Sequence, residues 1–496
     1  MRKYLLAGVA ALGAAVVMQG SAYAQAPAPV MPLSQPQMNT LITPNAGKSA
    51  NDNNNYQPAP IPGAVATPTP GSMVVRFNGK IWTEYGFGGG SGITAGGTGG
   101  IPAGKNTPNS GLGTYFRLYP GFDAQATNGL RYGGQAEIRE NFIATQSNTG
   151  ATGTSGLTSG QTLYVRRDFV WMSNPQWGLV RFGQGDGVAG IFDNGVISQQ
   201  GYGQGGWNGD ASAFLANTNV GTSYPWYSQQ GAEYGSNKIV YLSPQFFGVD
   251  AGVDYAPNNG NAEIGGGAGN VPGTGASGLA SSAAPPDGTR FMNQYQVGVR
   301  YQGVVGPVSI YAFGDYIGSG HVQYTGTALA AQAKEFGSAG AIPGNSKYNG
   351  NFQNLSAGFV GAEFTIGGLA IGGGWQGGTY NGTMATEPDG GKGANLYGFG
   401  ALYTIGALSF GASWYGFDSQ GAIGLTGISQ RHENGFGLGV NYTIAPGINP
   451  YMEALYGTRH QGGFDFVNSK YFTQAGYAGH NDVDSEAIIV GIQVGW

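Results

Sequence analysis

The chain has 496 residues, a formal charge of −5, only 9% charged and 12% aromatic side chains, 95 glycines and no cysteine. It is too long for one ordinary soluble core, and its acidic balance argues against nucleic acid as a partner. Without cysteine there are no disulfide staples, thiolate metal sites or cysteine nucleophiles.

Met1-Arg2-Lys3, an apolar run from Tyr4 to Met18 and the small-x-small triplet Ala22-Tyr23-Ala24 have the layout of a secretory signal peptide, residues 1–24. Cleavage is expected after Ala24 and would leave 19 basic against 26 acidic side chains, or −7. Residues 25–72 hold ten of the 25 prolines and the run Asn53 to Asn55, with few large apolar residues. Such a stretch cannot bury a core and is expected to be a disordered periplasmic spacer. Beyond the first twenty residues no window holds the ~18 consecutive apolar residues of a spanning helix, so membrane residence has to come from strands.

From Met73 to Trp496 short segments of alternating character are joined by connections that are alternately very short and very long. Val74 to Phe87 puts Val75, Phe77, Ile81, Tyr85 and Phe87 on one face, and Arg76, Asn78, Lys80, Trp82 and Glu84 on the other. Thr127-Asn128-Gly129 joins the next two segments, and Asn-Gly favours a tight hairpin. Further short turns are expected at Asn174 to Gln176, Ser243 to Phe247, Gly303 to Gly306, Gly367-Gly368, Ile405-Gly406 and Ala445 to Ile448. Seven short turns imply sixteen strands, with eight long loops on the opposite rim.

In the last segment Ile488, Val490, Ile492, Val494 and Trp496 share one face and Ile489, Gly491, Gln493 and Gly495 the other. An edge strand of a soluble sandwich has the same alternation, but sixteen such segments favour closure. A closed barrel leaves no backbone group unpaired in lipid. The expected fold is all-β: a transmembrane antiparallel up-and-down barrel of about 16 strands over residues 73–496. The terminal Trp496 resembles the signal by which outer-membrane barrels reach their insertion machinery. Tyr132, Trp171, Trp177, Tyr451 and Trp496 fall near expected periplasmic strand ends, as an interfacial girdle would.

Eleven Lys and Arg lie on these strands, eight of them on the first five: Arg76, Lys80, Arg117, Arg131, Arg139, Arg166, Arg167 and Arg181. Period-two spacing turns all eight inward except Arg167, which shares a face with Val165 and Phe169 and suggests a bulge or a subunit contact. Pairing with Glu84, Asp123, Glu137 and Asp168 would explain the cations as satisfaction of a polar interior. A transverse field against acidic loop residues is the functional alternative, and the two can coexist.

Arg166-Arg167-Asp168-Phe169-Val170, Gly178 to Gln184, Asn237 to Tyr241 and Ser243-Pro244-Gln245-Phe246-Phe247-Gly248 resemble the fourth to sixth strands and following turn of the general bacterial porins. The resemblance covers residues 162–257 and is architectural elsewhere. It implies a homotrimer in outer-membrane lipid and lipopolysaccharide, with a long third loop folded into the lumen, here 186–236. It also implies passive diffusion of small hydrophilic solutes and ions, without cofactor or reaction. The expected constriction is Arg76, Arg117, Arg139, Arg166 and Arg181 against Asp186, Asp193 and Asp210. Trp207, Tyr224 and Trp226 could stack on sugar rings or form the loop's own core, so a sugar- or anion-selective channel is the alternative. A receptor or adhesin role of the long loops would be secondary.

Catalysis is not expected. His321, His432, His460 and His480 all fall at or in long loops, and no Gly-x-Ser-x-Gly elbow or Gly-x-x-x-x-Gly-Lys loop occurs. His432, His460 and His480 could meet on the outer rim and bind a metal, but without cysteines no metal is assigned to them.

Overall fold

The computed structural model describes residues 68–90, 110–141, 162–192, 204–205, 237–258, 292–320, 353–380, 387, 391–421, 429–466, 470–472 and 475–496. The expected leader and nearly all of the spacer lie outside them. The first nine strands are β1 (Ser72–Gly90), β2 (Ser110–Gln125), β3 (Arg131–Asn141), β4 (Thr162–Asn174), β5 (Gly178–Gln184), β6 (Asn237–Leu242), β7 (Val249–Asn258), β8 (Met292–Val305) and β9 (Val308–Gly318). They are followed by β10 (Ser356–Ile366), β11 (Leu369–Gly378), β12 (Ala394–Ile405), β13 (Leu408–Ser419), β14 (Arg431–Tyr442) and β15 (Ile448–His460). The small hairpin β16 (Phe464–Asp465) and β17 (Lys470–Tyr471) stands apart, and β18 (Asp482–Gly495) ends the chain. A single helical turn, α1 (Val188–Phe192), follows β5.

Each strand pairs antiparallel with its chain neighbour, β15 pairs with β18, and β18 pairs with β1, so the sheet closes into a sixteen-stranded barrel. Closure satisfies the ladder without an edge, which is the condition for a sheet to lie in lipid. The expected short turns sit at one end and the long connections at the other. The Asn128-Gly129 turn takes its shape from Gly129 at φ +86 and from Asn128 Oδ1, which accepts the Leu130 N–H at 3.1 Å. Only the turn expected at Gly303 to Gly306 is displaced. Gly303 to Val305 continue the β8 ladder opposite β9, and the reversal falls at Gly306, φ +58. The glycine at 303 acts as a strand residue because Tyr301 folds over it.

The two faces of the wall differ as period-two patterning requires. Val75, Phe77, Ile81, Tyr85 and Phe87 are exposed on the outside of β1, and Arg76, Asn78, Lys80, Trp82 and Glu84 are buried inside. On β18, Val490, Ile492, Val494 and Trp496 face out while Ile489 and Gln493 are buried. Tyr132, Trp177 and Trp496 are exposed on the outer face, whereas Trp171 and Tyr451 are 3% and 4% exposed and belong to the interior. Strand-end position alone did not decide their face; the alternation of β4 and β15 did.

Candidate functional site

The inner wall of β1 to β5 carries most of the cations. Lys80, Arg117 and Arg139 occupy directly opposed positions on β1, β2 and β3, so three basic side chains form one row across adjacent strands. Like charges opposed in this way repel, and aromatic and acidic neighbours offset the repulsion. Lys80 Nζ and Arg117 Cζ lie 5.2 and 4.7 Å from the Trp82 ring centroid, and Trp82 stacks on Tyr115 at 5.1 Å. Arg76 Nε donates to Asp123 Oδ2 at 2.5 Å. Arg139 and Arg167 both donate to Glu137, and Arg167 Nη2 reaches Asp186 Oδ1 at 3.0 Å.

Three sequence expectations are corrected here. Arg167 faces inward, because β3 and β4 change register between Glu137 and Ile138: Glu137 pairs with Arg167 but Ile138 with Val165. Arg166 is the extra residue of this bulge, so Val165 and Arg167 lie on opposite faces although they are two apart. The same shift turns Asp168 outward, where it is exposed and does not join the interior pairs. Asp186 does not face the arginines from across the lumen. It sits two residues beyond β5, bound to Arg167, and its carbonyl accepts from Arg181 on the same wall. Replacing Arg167 with methionine leaves Glu137 and Asp186 short of their shared cation in a buried setting. It is expected to cost about 3 kcal/mol, read from urea unfolding of the lipid-refolded barrel.

The start of the third loop is anchored by Lys238 Nζ, which donates to the Gly185 carbonyl at 2.7 Å. It continues as α1, packed on β7, β8 and β9 with Val188, Ile191 and Phe192 buried. The Val188 N–H donates to Asp254 Oδ2 at 2.6 Å and the Ala189 N–H to Gln296 Oε1 at 2.8 Å, which satisfies two donors of the first turn. Tyr311 donates to the Phe192 carbonyl at 2.9 Å, and Arg300, held by Asp250, lies 4.5 Å over the Phe192 ring. Asp254, Gln296, Arg300 and Asp250 are all inward residues of β7 and β8. Further along, Gln204-Gly205 meets another part of the inner wall: Ser413 Oγ donates to the Gly205 carbonyl, and Gly411 and Gly437 leave room for this backbone.

Of the other expected site residues, Asp193, Asp210, Trp207, Tyr224 and Trp226 lie outside the described residues, and Arg166 is placed by its backbone alone. The sequence reading missed Asp254, Gln296, Tyr311 and Arg300 as a loop seat. The available signal was the polar inward pairs Asp250–Arg300 and Asp254–Gln296 on β7 and β8, on either side of the opposed glycines Gly252 and Gly298. Among the described residues no group of three or more histidines and carboxylates is arranged to hold a metal ion.

A closed sixteen-stranded barrel with an apolar outer wall and a charged inner one is an outer-membrane β-barrel. The family model described as Gram-negative porin matches residues 74–461, and the chain belongs to that family. The family forms outer-membrane channels. No curated protein sequence matches the chain. Among solved structures it is similar to an anion-selective porin from Comamonas acidovorans, with 16% identity, TM-score 0.49, and 86% of this chain and 100% of that chain covered. The outer membrane channel DcaP of Acinetobacter baumannii gives 11%, 0.48, 87% and 100%. A loop L8 deletion mutant of OmpT from Vibrio cholerae gives 12%, 0.44, 86% and 99%.

Proposed function

We propose that this porin is a water-filled channel for passive diffusion of small hydrophilic solutes and ions, narrowed by its third loop and filtered by the cationic row of β1 to β3. The observation that carries this reading is the attachment of the third loop at two separated parts of the inner wall, α1 on β7 to β9 and Gln204-Gly205 on β13 and β14. Two described pieces of the same loop seated on separated parts of the inner wall support a path narrowed by that loop. Export by the leader peptide, insertion through the C-terminal Trp496 and assembly as a homotrimer in lipid and lipopolysaccharide complete the proposal. Solute moves down its gradient, with no bond made or broken.

Single-channel recording of the refolded protein in a planar bilayer tests it. Ohmic steps arriving in threes and unaffected by added sugars are the expected result; no conductance would overturn it. The filter has its own test. Two unit charges at 4 Å interact by about 1 kcal/mol in water, a factor of about five in local ion concentration. The double variant Lys80→Gln/Arg117→Gln should therefore shift the cation-to-anion permeability ratio several-fold towards cations, read from the reversal potential in a salt gradient. An unchanged potential removes these residues from the filter.

A further inference from the structure

Four titratable side chains form a line on the outer face of the wall, next to the rim of long loops. Asp418 on β13 is opposed to His432 on β14, His432 to His460 on β15, and His460 to Asp482 on β18. Period-two spacing puts them on the face of Trp414, Phe436, Tyr456 and Val490, the apolar outer surface. The side chains are exposed: the two imidazoles are 50% and 49% exposed, and Asp418 and Asp482 30% and 81%.

The hydrogen bonds give the line a direction. His432 Nδ1 meets Asp418 Oδ1 at 2.5 Å, and His460 Nδ1 meets Asp482 Oδ1 at 2.7 Å. Each imidazole thus turns its Nδ1 to a carboxylate on its far side, away from the other imidazole. In a neutral ring a carboxylate on Nδ1 holds the proton there and leaves the lone pair on Nε2. Directly opposed positions on antiparallel strands have Cβ atoms about 5 Å apart. The order is carboxylate, imidazole, imidazole, carboxylate, and a carboxylate behind each imidazole is the arrangement that orients histidine ligands.

We infer that His432 and His460 form a two-imidazole site for a divalent transition-metal ion of the zinc, nickel and copper class, bound between their Nε2 atoms on the outer face of the barrel. Two nitrogens at ~2.0–2.1 Å from one tetrahedral ion lie about 3.3 Å apart, within reach of rings on opposed positions. Imidazole is the ligand type such ions prefer, and water completes the shell. Asp418 and Asp482 are positioning residues that fix the tautomer, and Asp484, on the next outward position of β18, adds negative charge nearby. His480 takes no part: its Nδ1 lies 3.2 Å from Asp465 Oδ1, beside the β16–β17 hairpin. The site lies outside the channel and does not rest on the channel reading.

Zinc titration by calorimetry of the full chain, refolded in detergent and stripped with chelator, tests this. One Zn²⁺ per chain is expected. His432→Gln and His460→Gln should each weaken binding at least about tenfold, Asp418→Asn by a smaller factor of about ten or less, and His480→Gln not at all. Heat-modifiable migration on a gel shows which variants remain folded, and either histidine variant suffices. With Cu²⁺ as the probe, the paramagnetic spectrum should show two coupled nitrogens in the wild type and one in either single variant. Absence of zinc binding overturns the proposal, as does equal binding by wild type and both histidine variants, or a loss in His480→Gln as large as theirs.

Discussion

Replacing Gly252 with leucine should raise the single-channel conductance and relax solute exclusion while the barrel stays folded. A Cβ built on Gly252 lies 2.9 and 3.0 Å from the Val188 methyls and 2.8 Å from Leu242 Cδ2. The absence of a side chain at this inward position on β7 therefore makes the space in which α1 rests. Val188, Ile191 and Phe192 are buried there, and each apolar side chain of that size contributes about 1.5–3 kcal/mol when fully buried. Eviction also strips the Val188 and Ala189 donors of their acceptors on Asp254 and Gln296, about 1 kcal/mol apiece. Together these terms exceed the 1.4 kcal/mol that changes an equilibrium tenfold. Leucine at 252 fills the volume that Val188 occupies, so the seated arrangement can no longer make these contacts and should become the minor state. Conductance recorded beside heat-modifiable gel migration decides the matter: a folded barrel with unchanged conductance means that α1 does not set the width of the path.

The second large effect is expected at the seam. Gly79 exchanges both backbone hydrogen bonds with Trp496, at 3.1 and 3.0 Å, and is the last rung of the β1–β18 closure. It lies outward between Phe77 and Ile81, and a Cβ there would sit 2.4 Å from Cζ2 of the Trp496 ring. The ring covers the glycine on the lipid face, so Gly79→Val forces it off and opens the final pair. Overpacking of this kind costs about 1–3 kcal/mol, with a corresponding loss of refolding yield and of gel-shift stability. Trp496→Ala removes the clash. In the Trp496→Ala background the valine should be nearly harmless, and the double-mutant cycle should return a coupling of about 1–3 kcal/mol. Additive effects would mean that the ring does not pack on Gly79. The cycle also separates the terminal aromatic's packing role from the proposed role in insertion, because only the former depends on residue 79.

The charged interior is more fully paired than a bare cationic wall. Arg76 with Asp123, Arg300 with Asp250, Arg459 with Glu433 and the chain Arg139–Glu137–Arg167–Asp186 are all buried ion pairs. Pairing therefore satisfies much of the interior, and the row Lys80, Arg117 and Arg139 is where the proposed filter is to be tested. Glu84, expected as a partner of the arginines, accepts from Tyr451 Oη at 2.6 Å across the β1–β18–β15 seam.

The barrel was legible in the order of the residues. Period-two alternation, the short turns marked by residues such as Asn128-Gly129 and Gly367-Gly368, and the long connections between them gave sixteen strands and their two faces. These are local properties, set by the pleat and by turn chemistry, and they are legible wherever the alternation is unbroken. Legibility ended where the alternation broke. No residue type announces the bulge at Arg166, which arises from the register of β4 against β3 and turns Arg167 in and Asp168 out. Pairings between distant segments were decided only by the tertiary structure: α1 on Asp254, Gln296 and Tyr311, Gly205 against Ser413, Trp496 over Gly79, and His432 beside His460. Each depends on which positions closure brings opposite one another, and register around a ring is a sum over all sixteen strands that no single segment carries.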